Sequence, residues 1–289
     1  MFLKSGLAAS ALGFPALGQV RGANDRVQVA LIGCGGRGAQ VTASLARRSD
    51  VECSQVCDIH EERLVRIADH MAEQQGGRKP LLARRMEEVF ANKGVDAVVV
   101  ATPDHWHTPA AILACQAGKD VYVEKPFSHN IWEGRKLVEA ARKYKRIVQV
   151  GTQNRSAPYN LAARDYIQSG KLGDIRLVKV FNLKGGGPFH LGTSGSSPKG
   201  FSWKTWLGPA KARPYHSRIF HAGWHYFWDY SGGDLADCGI HQLDLALMVM
   251  AIPPHRLRCP PRAVVSSTGV TTPRCRMWRF CSMTIPVLL

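Results

Sequence analysis

Two groups of residues could carry proton-transfer chemistry by their type and spacing. Asp237 and His241 are four apart in Ala-Asp-Cys-Gly-Ile-His, so on a helix their side chains share a face within hydrogen-bond reach. A carboxylate that orients an imidazole and raises its basicity makes a general base for a hydroxyl proton. Lys125, between Glu124 and Pro126, is an ammonium on a stiff turn after an apolar run, and such a charge can steady a developing oxyanion. Thr102-Pro103-Asp104-His105-Trp106-His107 adds two imidazoles. They read either as a turn-stabilising pair or, for His107 above all, as part of a ligand pocket wall. His221 and His225, with Asp237 and His241, could instead be metal ligands, but Gly223 argues against the helix that an H-x-x-x-H site requires, and no metal is expected.

The element that would position this chemistry is the stretch Val27-Gln28-Val29-Ala30-Leu31-Ile32-Gly33-Cys34-Gly35-Gly36-Arg37-Gly38. A β-prone run enters glycines spaced G-x-G-x-x-G, and helix formers follow. Gly33 permits a tight turn, Gly35 lets a pyrophosphate approach the backbone, and Gly38 allows helix and strand to pack closely. Gly36 and Arg37 open the helix, whose free N–H groups suit phosphate. A second run, Val51 to Cys57, ends in Asp58, 20 residues beyond Gly38. A dinucleotide fold places the carboxylate for the adenosine ribose there. Such a carboxylate repels a 2′-phosphate, so NAD is favoured, and Arg63 nearby keeps NADP open.

The alternation continues. Helices are expected over 61–75, 86–93, 109–117 and 132–144, and strands over 95–101, 121–123 and 147–150. With the first two runs this makes five strands separated by helices, a doubly wound Rossmann sheet. Thr102, Pro103 and His107 then lie at the carboxyl end of one strand, and Glu124 and Lys125 at that of the next, where ligands of such sheets bind.

At these residues the sequence resembles the Gfo/Idh/MocA oxidoreductases. The glycine turn, the Thr-Pro-x-x-x-His segment, the Ala-Gly-Lys before the fourth strand and the Glu-Lys-Pro turn occur in that family's order, and the resemblance runs from Val27 to about Ala251. It implies an NAD(P)-dependent enzyme acting on sugars, cyclitols or related polyols, with Lys125 touching cofactor and substrate and Asp237–His241 as the proton-handling pair. It also implies two alternatives: an NAD-dependent glycosidase-like route by transient oxidation and elimination, or a non-catalytic NAD- or ligand-binding remnant.

After Val150 the pattern changes. Residues 26–151 read as the nucleotide domain and 152–252 as a partial α+β substrate domain with an open, mostly antiparallel sheet. Arg176 to Asn182 alternates as a strand with one wet face. Four tryptophans and three tyrosines fall between Trp203 and Tyr230. Trp203 and Trp206 suit a core. Trp224 and Tyr226 suit a core or a carbohydrate-binding wall equally, and Asp244 suits substrate hydroxyls or the helix surface.

The remaining features set limits. The chain has 289 residues and a formal net charge of +16. Six arginines and no acidic residue lie between Leu245 and Leu289, and no basic cluster alternates with aromatics, so nucleic acid is not an expected partner. Residues 253–289 are rich in proline and arginine and read as foreign to this fold, as a shift of reading frame near Ala251 would make them. Residues 1–25 look signal-like: Phe2-Leu3-Lys4 and an apolar run too short to span a bilayer resemble the second half of a twin-arginine signal. The protein would be periplasmic were that signal completed upstream, and cytoplasmic otherwise. The eight cysteines include no C-x-x-C pair, and Cys34, Cys53, Cys57, Cys115 and Cys238 read as small buried residues. A homo-oligomer is compatible with all of this.

Overall fold

The computed structural model describes residues 26–175, 177–183, 191, 193–221, 223–251 and 280–286. The signal-like segment and most of the 253–289 tail lie outside the described residues. The first half is a six-stranded sheet of order β3-β2-β1-β4-β5-β6, parallel throughout. Its strands are β1 (Val27–Ile32), β2 (Val51–Cys57), β3 (Leu81–Ala83), β4 (Ala97–Val100), β5 (Asp120–Val123) and β6 (Val148–Val150). Between them run α1 (Gly36–Ala46), α2 (Glu61–Gln74), α3 (Met86–Ala91), α4 (Asp104–Gln116) and α5 (Ile131–Tyr144).

Strand alternation builds two cores from one sheet. On β1, Ala30 and Ile32 face α4 and α5 through Ala110, Ala111, Ala114 and Leu137. Val29 and Leu31 face α1 and α2 through Ala43, Leu64, Ile67 and Met71. With both faces covered, β4 reads as the unbroken run Val98-Val99-Val100, all three residues at 1% exposure or less. The strand order reverses between β1 and β4, which opens a crevice at their carboxyl ends.

Two local expectations need correction. The sheet has a sixth strand, β3, whose three residues include the exposed Leu81 and Leu82 and so carry no burial signal. α4 begins at Asp104, with Pro109 inside it. Asp104 in the first turn complements the helix dipole, and the helix forgoes only the hydrogen bond that Pro109 cannot donate.

The second half contains α6 (Pro158–Gln168), β7 (Leu177–Leu183), α7 (Trp203–Leu207), α8 (Ser217–His221), a 3₁₀ turn (Gly223–Tyr226), a π turn (Leu235–Gly239), α9 (Ile240–Val249) and β8 (Phe280–Pro286). On β7, Val178 and Val180 are half-buried and Lys179 and Phe181 exposed, the alternation of a strand with one wet face. β8 pairs with β7 antiparallel, Leu177 opposite Pro286 and Leu183 opposite Phe280. Part of the tail read as foreign to the fold thus supplies a strand. Trp206, Ile219, Phe220, Phe227 and Tyr230 form a separate aromatic core. Among the described residues no helix is long and apolar enough to cross a membrane.

Candidate functional site

A cleft of about 780 Å³ runs from the glycine turn to the second half of the chain. Its floor is built by β1 and the turn after it. Gly33 has φ +99°, and a Cβ there would lie 2.6 Å from the Ala101 carbonyl oxygen, so the chain turns at Gly33 only because it lacks a side chain. A Cβ on Gly38 would strike the Gly33 carbonyl oxygen and press within 3.0 Å of Leu31. At Gly35 and Gly36 a Cβ would meet no atom within 4 Å, so glycine there keeps space open above the turn. Gly35 caps α1 without any side-chain hydrogen bond, leaving the first-turn amides to an anion.

Asp58 lines the cleft at the end of β2. Its Oδ2 accepts from the Cys34 amide at 2.7 Å and its Oδ1 from the His60 amide at 2.8 Å. Burial pushes its carboxyl above the usual range, while the two amides and Arg63 pull the other way. Four arginines, Arg63, Arg66, Arg84 and Arg85, line the same end, with Arg63 4.4 Å over the Phe220 ring.

At the other end, Lys125 Nζ lies 2.5 Å from Asp237 Oδ1 and 2.7 Å from the Asp237 carbonyl oxygen. Both side chains are 16% exposed, and both residues line the cleft. The expected hydrogen-bond geometry of Asp237 and His241 on one α-helix is corrected here. Residues 235–239 form a π turn, and the Asp237 carboxylate meets Lys125 Nζ. Its influence on His241 is through charge. His241 Nδ1 is buried without a hydrogen-bond partner, and its ring stands outside the cleft lining. Burial first, then the Lys125 charge, pushes the His241 imidazole below its usual range, against Asp237 and Glu124. It is therefore neutral at physiological pH and able to accept a proton. His225 does line the cleft, with Nδ1 3.9 Å from Asp237 Oδ2.

The loop after β4 supplies the wall between these ends. Thr102, Pro103 and His107 line it. His107 is 2% exposed, with Nδ1 2.6 Å from the Pro126 carbonyl oxygen and Nε2 2.8 Å from that of Thr102, so it ties the two strand-end loops together. His105 turns the other way: Nε2 meets the Trp206 carbonyl oxygen at 3.0 Å, which also accepts from Trp106 Nε1 at 2.9 Å. Burial brings the His105 ring down to about 4, so it is neutral, with the proton on Nε2. Arg37 and Glu124 pair with each other at 2.8 Å, joining the glycine turn to the lysine turn.

Two sequence profiles match the chain. Residues 27–152 match one described as an oxidoreductase family with an NAD-binding Rossmann fold, and 186–255 match the same family's C-terminal alpha/beta domain. Together they cover more than half of the chain. The chain belongs to the Gfo/Idh/MocA oxidoreductase family. It is 31% identical over 162 residues to an inositol 2-dehydrogenase of Rubrobacter xylanophilus, covering 53% of this chain and 43% of that protein. It is 25% identical over 154 residues to a glycosyl hydrolase family 109 protein of Shewanella baltica, covering 52% of this chain and 34% of that one. The chain thus spans less than half the length of these relatives. GenD2 of gentamicin A biosynthesis, solved in complex with NAD, shares the fold at a TM-score of 0.63, 22% identity and 88% coverage of this chain against 60% of its own.

For a Gfo/Idh/MocA protein the cleft fits the family's dinucleotide: open space over Gly35 and Gly36, uncapped helix amides and a buried carboxylate at the ribose position lie along one groove that ends at Lys125. Trp224 lines this groove and stacks on His225, centroids 3.5 Å apart. Tyr226 is not part of the lining, and both it and Trp224 pack against the aromatic core. Asp244 is also corrected: Arg155 grips it with two nitrogens at 2.6–2.9 Å, and it is not part of the cleft lining, so its charge serves to join α9 to the turn before α6. Among the described residues no group of three or more His, Cys, Asp or Glu is placed to hold a metal ion. Sequence spacing does not reveal Asp104 and Ser231, whose buried hydrogen bond joins the cleft-lining N-terminus of α4 to the second half of the chain. The one local signal was an acidic residue directly after Thr-Pro at a strand end.

Proposed function

We propose that the chain carries the NAD-binding and proton-transfer parts of an oxidoreductase that moves a hydride between nicotinamide and a carbinol carbon of a sugar, cyclitol or related polyol. The observation that carries this reading is the meeting of Lys125 and Asp237 at one end of a cleft whose other end is the glycine turn. Bound NAD supplies the hydride acceptor, a function that side chains lack. The turn from Gly33 to Gly38 and the first amides of α1 hold the pyrophosphate, and Asp58 accepts from the adenosine ribose. Thr102, Pro103, His107 and Glu124 wall the nicotinamide end. Lys125, held in place by Asp237, donates to the substrate oxygen and stabilises negative charge as the hydroxyl proton departs. His225, which lines the cleft with Nδ1 3.9 Å from Asp237 Oδ2, is the imidazole placed to take that proton, and His241, outside the lining, stands behind the pair. Trp224 offers an aromatic face to the sugar ring. The Rubrobacter relative's name, an inositol 2-dehydrogenase, supports a polyol substrate.

A second reading draws support from the relatives named as family 109 glycosyl hydrolases: transient oxidation followed by elimination of a glycoside. Incubating the full chain with NAD and a panel of polyols, sugars and aryl glycosides separates the two. Net NADH from a polyol or sugar supports the dehydrogenase, release of aglycone without net NADH supports elimination, and neither product, from a chain that binds NAD, overturns both.

A further inference from the structure

Asp104 is a buried acidic side chain that lines the cleft with Lys125 and Asp237 and has no part in the functional reading above. It opens α4 and is 2% exposed. Its Oδ2 accepts from Ser231 Oγ at 2.6 Å, a bond spanning 127 residues. One residue further on, the His105 amide donates to the Tyr230 carbonyl oxygen at 3.1 Å. The α4 N-terminus therefore grips the Tyr230–Ser231 corner, which leads through Gly232 and Gly233 (φ +68°) into the turn that carries Asp237. Asp104 also feels the charges of both Lys125 and Asp237. Asp104, Asp237 and Lys125 line the same cleft.

We infer that Asp104 is a positioning residue for the Lys125–Asp237 pair: through Ser231 it anchors the corner that leads into the Asp237 turn, and on losing its proton it adds an anion to a cleft wall that already carries Asp237 and Glu124 beside the Lys125 ammonium. This rests on the functional reading only in giving Lys125 a task. Burial first, and Asp237 after it, push the Asp104 carboxyl up to about 7, while the Ser231 hydroxyl and Lys125 pull it down. The switch therefore falls inside the physiological range. Of the titratable groups around it, His105 is held neutral with its ring at about 4 and burial pushes the Tyr230 phenol to about 12; His225, 3.9 Å from Asp237, and His241, held below its usual range by burial, also surround the pair, and a step that survives in Asp104→Asn belongs to them. The proton leaves to solvent through the cleft, and no other bond changes.

The test uses the full chain with ε-¹³C-labelled lysine, the Lys125 resonance identified by its loss in Lys125→Arg, followed from acid to alkaline pH with and without NAD. The Lys125 signal should move with a midpoint near neutrality. That step should vanish in Asp104→Asn and move to higher pH in Ser231→Ala, where the carboxylate has lost its donor. The pH profile of polyol oxidation should lose or shift its near-neutral inflection in the same two variants. A Lys125 signal that is flat across neutrality, or a step unaltered in Asp104→Asn, overturns the proposal, and unchanged signals from the β1–β6 domain show that the variants remain folded. Should the step behave as stated while no polyol is oxidised, the functional reading fails and the positioning role stands; oxidation with a flat Lys125 signal gives the reverse.

Discussion

Lys125 Nζ grips Asp237 at both its carboxylate, 2.5 Å away, and its carbonyl oxygen, 2.7 Å away, so that one ammonium from the nucleotide domain fixes a residue 112 positions along the chain. Removing the ammonium should separate binding from chemistry. Lys125→Met is expected to keep NAD affinity within about threefold while turnover falls by roughly 10²- to 10³-fold, the usual loss of one oxyanion donor. Steady-state rates beside an NAD titration check this, and undiminished turnover would remove Lys125 from the reaction.

The glycines of the turn should part into two classes. Gly33→Ala meets both a positive φ and the Ala101 carbonyl oxygen, and should cost at least roughly 1–3 kcal/mol of stability. Gly35→Ala meets no protein atom and should leave stability within about 1 kcal/mol while weakening NAD by about tenfold or more. Thermal melts and calorimetry on the same two variants decide it, equal effects on stability being the contrary outcome.

Asp58 should set the choice of nucleotide. With its carboxylate removed in Asp58→Ala, the four arginines of that end face the ribose alone. NAD affinity is expected to fall by about tenfold, near 1.4 kcal/mol, and the preference for NAD over NADP to narrow or reverse. Because the same oxygens accept from the Cys34 and His60 amides, the melting temperature should drop as well. Parallel titrations with both nucleotides check the first part, and an unchanged ratio contradicts it.

Asp104 makes stability depend on pH with a definite sign. Its folded carboxyl is raised from 3.8 to about 7, so between those values the folded protein binds more protons than the unfolded chain and stability falls as pH rises. Above neutrality the loss approaches an upper bound on the order of 4 kcal/mol. Asp104→Asn escapes it: its melting temperature should equal the parent's near pH 4, within a degree or two, and exceed it increasingly towards pH 8 (round figures from the same linkage). A difference that does not vary with pH would show that Asp104 is not titrating.

Much of the nucleotide half could be read from residue order because its determinants are local. The Val27–Ile32 run, the glycine spacing and Asp58 lie within one βαβ unit, where period and turn chemistry act over a few residues. β3 escaped notice because three residues with exposed leucines leave no pattern. Asp237 was singled out as the partner of His241, four residues away, whereas the contact it makes to Lys125 is set by domain packing and a π turn that no local spacing announces. Asp244 reads as a substrate ligand or a helix-surface residue for the same reason, its partner Arg155 lying 89 residues away. Asp104 and Ser231 became visible only when the fold brought together residues 127 apart.

Calorimetric titration of the folded full chain with NAD, set beside the same titration of Gly35→Val, tests the account at its root. One equivalent of NAD should bind to the parent chain, and affinity should drop by about a hundredfold or more, near 2.7 kcal/mol, in the variant. Absence of any heat from NAD or NADP with the parent chain, or equal binding by the variant, would contradict the placing of a dinucleotide between the glycine turn and Lys125.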